Sequence, residues 1–212
     1  MLGVFYRSDT RPPLKSEWTA SDDQWEMFND GFDKRKPFKY TNPKLRWVAG
    51  TDNAPDVKPE SAVCFTRDFQ SAPLFPVSDL ATDSWVYVLE VDATQIFNTQ
   101  CKQWDYVKDD LKGLTQSEAT TKLWPMFGQE RALNSIAAKN IVGAVKVKRK
   151  FNQDNVFNGG RFKCLKYLSN PNFTGNSKTA SLAAELIGKF VSSGEYLPMP
   201  TCASGIVKST GT

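Results

Sequence analysis

Residues 84–91, "SWVYVLEV", are apolar, β-branched or aromatic almost throughout, the pattern of a strand buried on both faces. Residues 141–149, "IVGAVKVKR", alternate apolar and basic positions, which predicts a strand with one wet face; residues 160–168, "GRFKCLKYL", read the same way. Shorter strands are predicted over 3–8 and over 61–66, "SAVCFT", and the first is stopped by Pro12 and Pro13. Residues 180–193 carry the helical period, with Leu182, Leu186, Ile187 and Phe190 as the apolar stripe. A second helix is predicted before Gly31, capped by Ser21 or Asp22, with Trp25, Phe28 and Phe32 at near-helical spacing. Residues 96–124 predict one or two short helices.

Between these elements lie turn signals. Gly50, Asn53–Pro55 and Pro59 mark an irregular insertion, and "NPNFTGNSKT" is a loop. Strands and helices do not alternate as βαβ units, there is no glycine-rich phosphate loop, and no internal repeat is visible. The expected class is α+β, with mainly short antiparallel strands and flanking short helices.

At residues 4–13, "VFYRSDTRPP", an aromatic run ends in alternating charges. Side chains at i, i+2 and i+4 of an extended chain share a face, so Arg7, Asp9 and Arg11 fall together, opposite Tyr6, Ser8 and Thr10. Composition narrows the chemistry. A length of 212 residues with 40% hydrophobic content suits one domain with a real core. There is no histidine, which removes Ser–His and Cys–His nucleophile pairs and any histidine-containing zinc site. Catalysis is left to carboxylates, hydroxyls, cysteine or arginine. Cys64, Cys101, Cys164 and Cys202 are widely spaced without a CxxC, so no metal site is expected; four cysteines allow three full pairings, and buried free thiols are the other reading. The net charge is +4, with "VKVKRK" at 145–150 the nearest thing to a basic cluster, so no specific nucleic-acid partner is called for. No apolar run is long enough to span a membrane, and the first residues read as a strand and not as a signal peptide.

Three separated stretches together resemble a known family. "YRSDTRPP" matches the Tyr-Arg-x-Asp-x-Arg-Pro-Pro first strand of ADP-ribosylating toxins of the cholera, heat-labile enterotoxin and pertussis type. The pair "SAVCFT" and "SWVYVLEVDATQIFN" resembles the middle of that fold, and "FGQERALNSIAAKNIVGAVKV" its catalytic-glutamate segment and closing strand. The last, and the tail "NPNFTGNSKTASLAAELIGKF" with Cys202, look most like the pertussis type. The resemblance implies a single domain over 1–212, with 33–60 as an insertion and 170–212 as C-terminal loop and helix. It implies split antiparallel β-sheets with a cleft for nicotinamide adenine dinucleotide (NAD), the co-substrate, and no metal.

Carried onto this chain, the resemblance makes Glu130 the catalytic glutamate and Thr66 the middle hydroxyl of the family's Ser-Thr-Ser, here Phe65-Thr66-Arg67 without either serine. Arg7 is then the NAD-binding arginine and Asp9 its orienting carboxylate. Arg67, standing where the family has a serine, reads either as a phosphate contact or as a solvated strand-end charge. Phe127, Gly128 and Gln129 fall in the segment that meets the target; Gly128 stands where arginine-modifying relatives carry a second glutamate. On the residues alone, Arg7 and Asp9 also read as a salt-bridged strand edge, Glu130 as a surface carboxylate, and Trp124 as core.

Breaking the bond to nicotinamide builds positive charge on the ribose, which a fixed carboxylate stabilises, and nicotinamide leaves as a neutral group. A chain without histidine can therefore run the reaction. The resemblance further implies transfer of ADP-ribose to a host protein side chain, a G-protein α subunit among the candidates, with NAD glycohydrolase side activity. It also implies secretion and a separate delivery subunit. NAD hydrolysis alone, or a degenerate member acting as a binding protein, are the alternatives. Asn172, in "NFT", is a glycosylation acceptor if the source glycosylates.

Overall fold

The computed structural model describes residues 2–18, 26–33, 49–51, 63–74, 83–92, 97–101, 130–133, 135–152 and 160–200. Eleven strands are present among them: β1 (Leu2–Asp9), β2 (Phe32–Asp33), β3 (Ala49–Thr51), β4 (Val63–Thr66), β5 (Asp83–Asp92), β6 (Phe97–Cys101), β7 (Glu130–Leu133), β8 (Ser135–Ile136), β9 (Ile141–Phe151), β10 (Gly160–Ser169) and β11 (Tyr196–Met199). Two α-helices accompany them, α1 (Met27–Asp30) and α2 (Ser177–Ser193), with short 3-10 turns at Lys15–Glu17, Ala72–Leu74 and Ala138–Asn140.

Nine strands form one sheet in the order β11-β10-β9-β5-β1-β4-β7-β6-β3, and β2 with β8 forms a small second one. Every recorded pairing is antiparallel. The class is α+β, as expected. The large sheet is nearly split: β1 runs along β5 for eight pairs, Leu2↔Asp92 to Asp9↔Trp85, yet meets β4 at Tyr6↔Thr66 alone.

Both faces of the first half are covered, which explains the unbroken apolar run of β5. Trp85, Tyr87, Leu89 and Val91 alternate with Val86 and Val88, and the two sets enter different cores. On one side Trp85 and Tyr87 pack with Phe5, Phe65, Ala144 and the α1 residues Met27 and Phe28. On the other, Val86 and Val88 pack with Val145, Val147, Phe162, Cys164 and the α2 residue Ile187.

Several expectations are corrected. The helix before Gly31 is a single turn; Gly31 has φ +66°, a left-handed conformation that ends it, and Phe32 belongs to β2. Residues 19–25, including Ser21, Asp22 and Trp25, lie outside the described residues. Within the stretch read as helices, Phe97–Cys101 is strand β6; Phe97 and Thr99 fit the period-2 pattern of a strand, and its pairing with β3 and β7 settles what local propensity left open. The insertion at 33–60 contains β3. β11 escaped sequence reading because Pro198 argues against a strand; it is an edge strand, where proline is tolerated.

α2 starts three residues earlier than expected, capped by the Asn176 side chain, which accepts from the Lys178 N–H. Its stripe is rotated: Ile187 is buried and Ala180, Ala183, Phe190 and Val191 pack beside it, while Leu182 and Leu186 are exposed. Alanines at the contact let the helix approach the sheet closely, a factor that hydrophobicity alone does not register. The buried Glu90 on β5 ties the helix start down, its carboxylate accepting from the Asn176 N–H at 2.9 Å.

Candidate active site

The centre of the α1 side is the Arg7–Asp9–Arg11 cluster. β1 is pleated, so Phe5, Arg7 and Asp9 project toward α1 while Tyr6 turns to the α2 side, where it packs on Phe69. Asp9 is buried; its carboxylate accepts from Arg7 Nη2 at 3.2 Å, Arg11 Nε at 2.8 Å, Arg11 Nη2 at 2.7 Å and the Arg11 N–H at 3.0 Å. Burial pushes the Asp9 carboxyl up, but the Arg11 hydrogen bonds and the charges of Arg11 and Arg7 outweigh it and hold it below the ordinary aspartate value. Burial lowers the Arg11 guanidinium and the Asp9 contacts more than reverse this, so it is raised.

Phe32 lies beneath both arginines, its ring centroid 5.0 Å from the Arg7 guanidinium carbon and 5.8 Å from that of Arg11. The Tyr87 hydroxyl donates to the Arg11 carbonyl at 2.6 Å and fixes the turn before Pro12 and Pro13; burial raises its pKa well above that of an ordinary tyrosine. Two guanidiniums share one carboxylate, so the trio carries one excess positive charge. The side chains of Arg7 and Arg11 keep 18% and 15% exposure, so solvent still reaches that charge. A diphosphate fits such a place: Arg7 offers an oriented planar donor set and the flanking rings offer apolar contact.

Thr66 and Glu130 are directly opposite one another in the β4–β7 register, and Tyr6 stands across from Thr66 on β1. The structure thus brings together the backbones of two predicted site residues. Thr66 is buried and shares Tyr6's row, and its hydroxyl accepts from the Asp68 N–H at 3.1 Å, opening a local turn. Asp68 in turn accepts from Gln70 N, Ser71 N and the Ser71 hydroxyl. On the Arg7 side stand the two chain neighbours of Thr66, Phe65 within β4 and Arg67 just after it. Phe65 is buried edge-on against Phe5, with ring centroids 5.1 Å apart, and Arg67 is exposed with its guanidinium 5.5 Å from the Phe5 centroid. Phe127, Gly128 and Gln129 lie outside the described residues.

Sequence reading missed Phe32, Tyr87 and Phe5 as the walls around Arg7. Tyr87 carried a faint signal, the one phenol in an otherwise apolar strand centre, since a buried tyrosine hydroxyl needs a partner. Phe32 carried none, because its place depends on β2 pairing with β8 at Phe32↔Ile136. Cys164 is a buried free thiol, with its pKa pushed up to about 12 by burial, and has no reactive character. Cys64, Cys101 and Cys202 have no described side chains. The Asn172 amide donates to the Phe28 carbonyl at 2.9 Å and to Asn29 Oδ1 at 2.7 Å, bonds that a glycan would disrupt.

No family model and no curated protein matches the chain. Among solved structures, full-length CARDS toxin aligns with 81% of this chain and 29% of its own at 15% identity, with a TM-score of 0.44. EcPltA aligns over 82% and 88% at 16% identity and a TM-score of 0.43. A heat-labile enterotoxin variant aligns over 90% and 87% at 18% identity and a TM-score of 0.39. The neighbours are toxin chains. The chain spans under a third of the CARDS toxin chain that it matches.

Proposed function

We propose that this chain is a mono-ADP-ribosyltransferase of the toxin type, cleaving NAD at its nicotinamide bond and passing ADP-ribose to a host protein side chain. The observation that carries the reading is Arg7, held from two sides by Asp9 and Phe32 on a strand whose whole Tyr-Arg-x-Asp-x-Arg-Pro-Pro motif is present. Arg7 holds the diphosphate, Arg67 is a second cation for it, and Glu130 stabilises the ribose as positive charge builds there. The C–N bond breaks with its electron pair going to nicotinamide. The acceptor nucleophile then bonds to the anomeric carbon and loses its proton. Thr66, paired with Glu130 across β4 and β7, supplies the hydroxyl that positions the glutamate. Phe127, Gly128 and Gln129 face the target protein, and secretion with a separate delivery subunit belongs to the same reading.

The test is incubation with labelled NAD, with and without cell lysate, for the native chain and Glu130→Ala. Label on a lysate protein that falls about 100-fold or more in the variant is the expected result. Nicotinamide release without protein label means hydrolysis alone, and no turnover by the native chain removes both enzyme readings. Arg7→Ala is expected to weaken NAD binding about 10- to 100-fold by calorimetry, the range for a lost charged hydrogen bond. An unchanged affinity takes the diphosphate role away from Arg7.

A further inference from the structure

The end of the sheet beyond Trp85 carries a charge pattern that the transferase reading does not use. On β9, residues Lys146, Lys148 and Lys150 follow Ala144 along the α1 side, while Val145 and Val147 enter the other core. The register sets each against a second cation on β10: Lys150↔Arg161, Lys148↔Lys163 and Lys146↔Lys166, the last pair following the bulge between Cys164 and Lys166. Like charges directly opposite one another destabilise a sheet, and here three such pairs stand in succession. Lys148, Lys150 and Arg161 are exposed, and the other three are half-buried.

The described acidic groups near this face are few. Asp83 is opposite Lys148, and Glu195 precedes Tyr196. Glu17 pairs with Lys166 at 2.6 Å, which among the described residues is the one ion pair these six cations make. Lys146 and Lys166 also sit over the Trp85 ring, and the Lys163 amine lies beside Gly194 at the end of α2. The row of Lys148 and Lys163 continues on β11 to Tyr196, a residue 44% exposed.

We propose that this face binds a single-stranded nucleic acid through its backbone. Same-face positions on a strand are about 7 Å apart, comparable to successive phosphates on an extended strand, so two parallel files of cations can follow one backbone. Tyr196 offers a stacking surface at the rim, the second component of sequence-tolerant single-strand sites. An anionic membrane is the weaker partner: among the described residues the one exposed large aliphatic side chain beside these cations is Leu165 at the β10 bulge, while the exposed Leu182 and Leu186 lie on α2, which packs on the opposite side of the sheet.

The experiment is fluorescence anisotropy of a labelled thymidine oligonucleotide with the full chain, from about 50 to about 200 mM salt. The expected slope of log affinity against log salt is about −2 to −4, for three to six neutralised phosphates. Replacing Lys148, Lys150 and Lys163 together by Gln is expected to reduce that slope by about 2. Thermal unfolding of this variant should be unchanged or shifted upward, since repulsion is relieved. Tyr196→Ala is expected to weaken binding about fivefold or more, and Lys189→Gln on α2 to leave it unchanged. A salt-independent affinity, a slope the triple variant does not alter, or preference for phosphatidylserine vesicles over the oligonucleotide overturns the proposal.

Discussion

Asp9 serves two arginines with one buried carboxylate, and this makes its ionisation part of the protein's stability. Its pKa is lower in the folded protein than in the unfolded chain, so its contribution is full above the ordinary aspartate pKa of about 3.9 and is lost as pH falls through the depressed folded value. Asp9→Asn leaves two cations around a neutral amide. It is expected to cost about 3 kcal/mol at pH 7, the low end for a broken buried pair because both arginines keep some contact with water. Urea midpoints at pH 7 and pH 3 check this: the fall in stability between them should be smaller in Asp9→Asn than in the native chain. The shared face of Arg7, Asp9 and Arg11 was legible from period 2 alone. That Phe32 would slide beneath them was not, since it follows from a pairing made over a hundred residues away in sequence.

At the scale of elements, α2 shows how a hydrophobic stripe differs from a contact face. Ile187→Ala is expected to destabilise the protein by about 2–4 kcal/mol by opening a cavity, whereas Leu186→Ser should stay within about 0.5 kcal/mol. Thermal unfolding separates them, with about 2–4 °C per kcal/mol for a chain of this size. β5, β9 and β10 were readable because burial on one or both faces writes a strong pattern. β3, β6 and β11 were not, because each is short and its state is decided by its partner strand. The same limit applies to the candidate site. Motifs identify Thr66 and Glu130, but their opposition, and the one-residue offset between that row and Arg7, belong to the register.

For the whole molecule, the seam at Tyr6↔Thr66 divides a sheet half covered on both faces from a half ending in the three-residue edge strand β3. Amide exchange should follow this. Val86–Leu89 and Val142–Val147, central and buried, are expected to exchange slowest, and Ala49–Thr51 about 100-fold faster or more. Equal protection in the two sets would show that the sheet opens as one unit.

The order of the strands also determines how the chain can be cut. It runs from β1 across the seam to β3 and β4, back to β5, across again to β6 and β7, and returns to β9. Each half is therefore assembled from interleaved pieces, and no single break in the backbone separates them. Truncation cannot deliver the Arg7 strand with its β5, β9 and β10 neighbours as one contiguous fragment, nor the Thr66–Glu130 pair without residues of the other half. Joining the termini and permuting the chain does not separate the halves either, because β5 still lies between the β3–β4 and β6–β7 pieces of the other half.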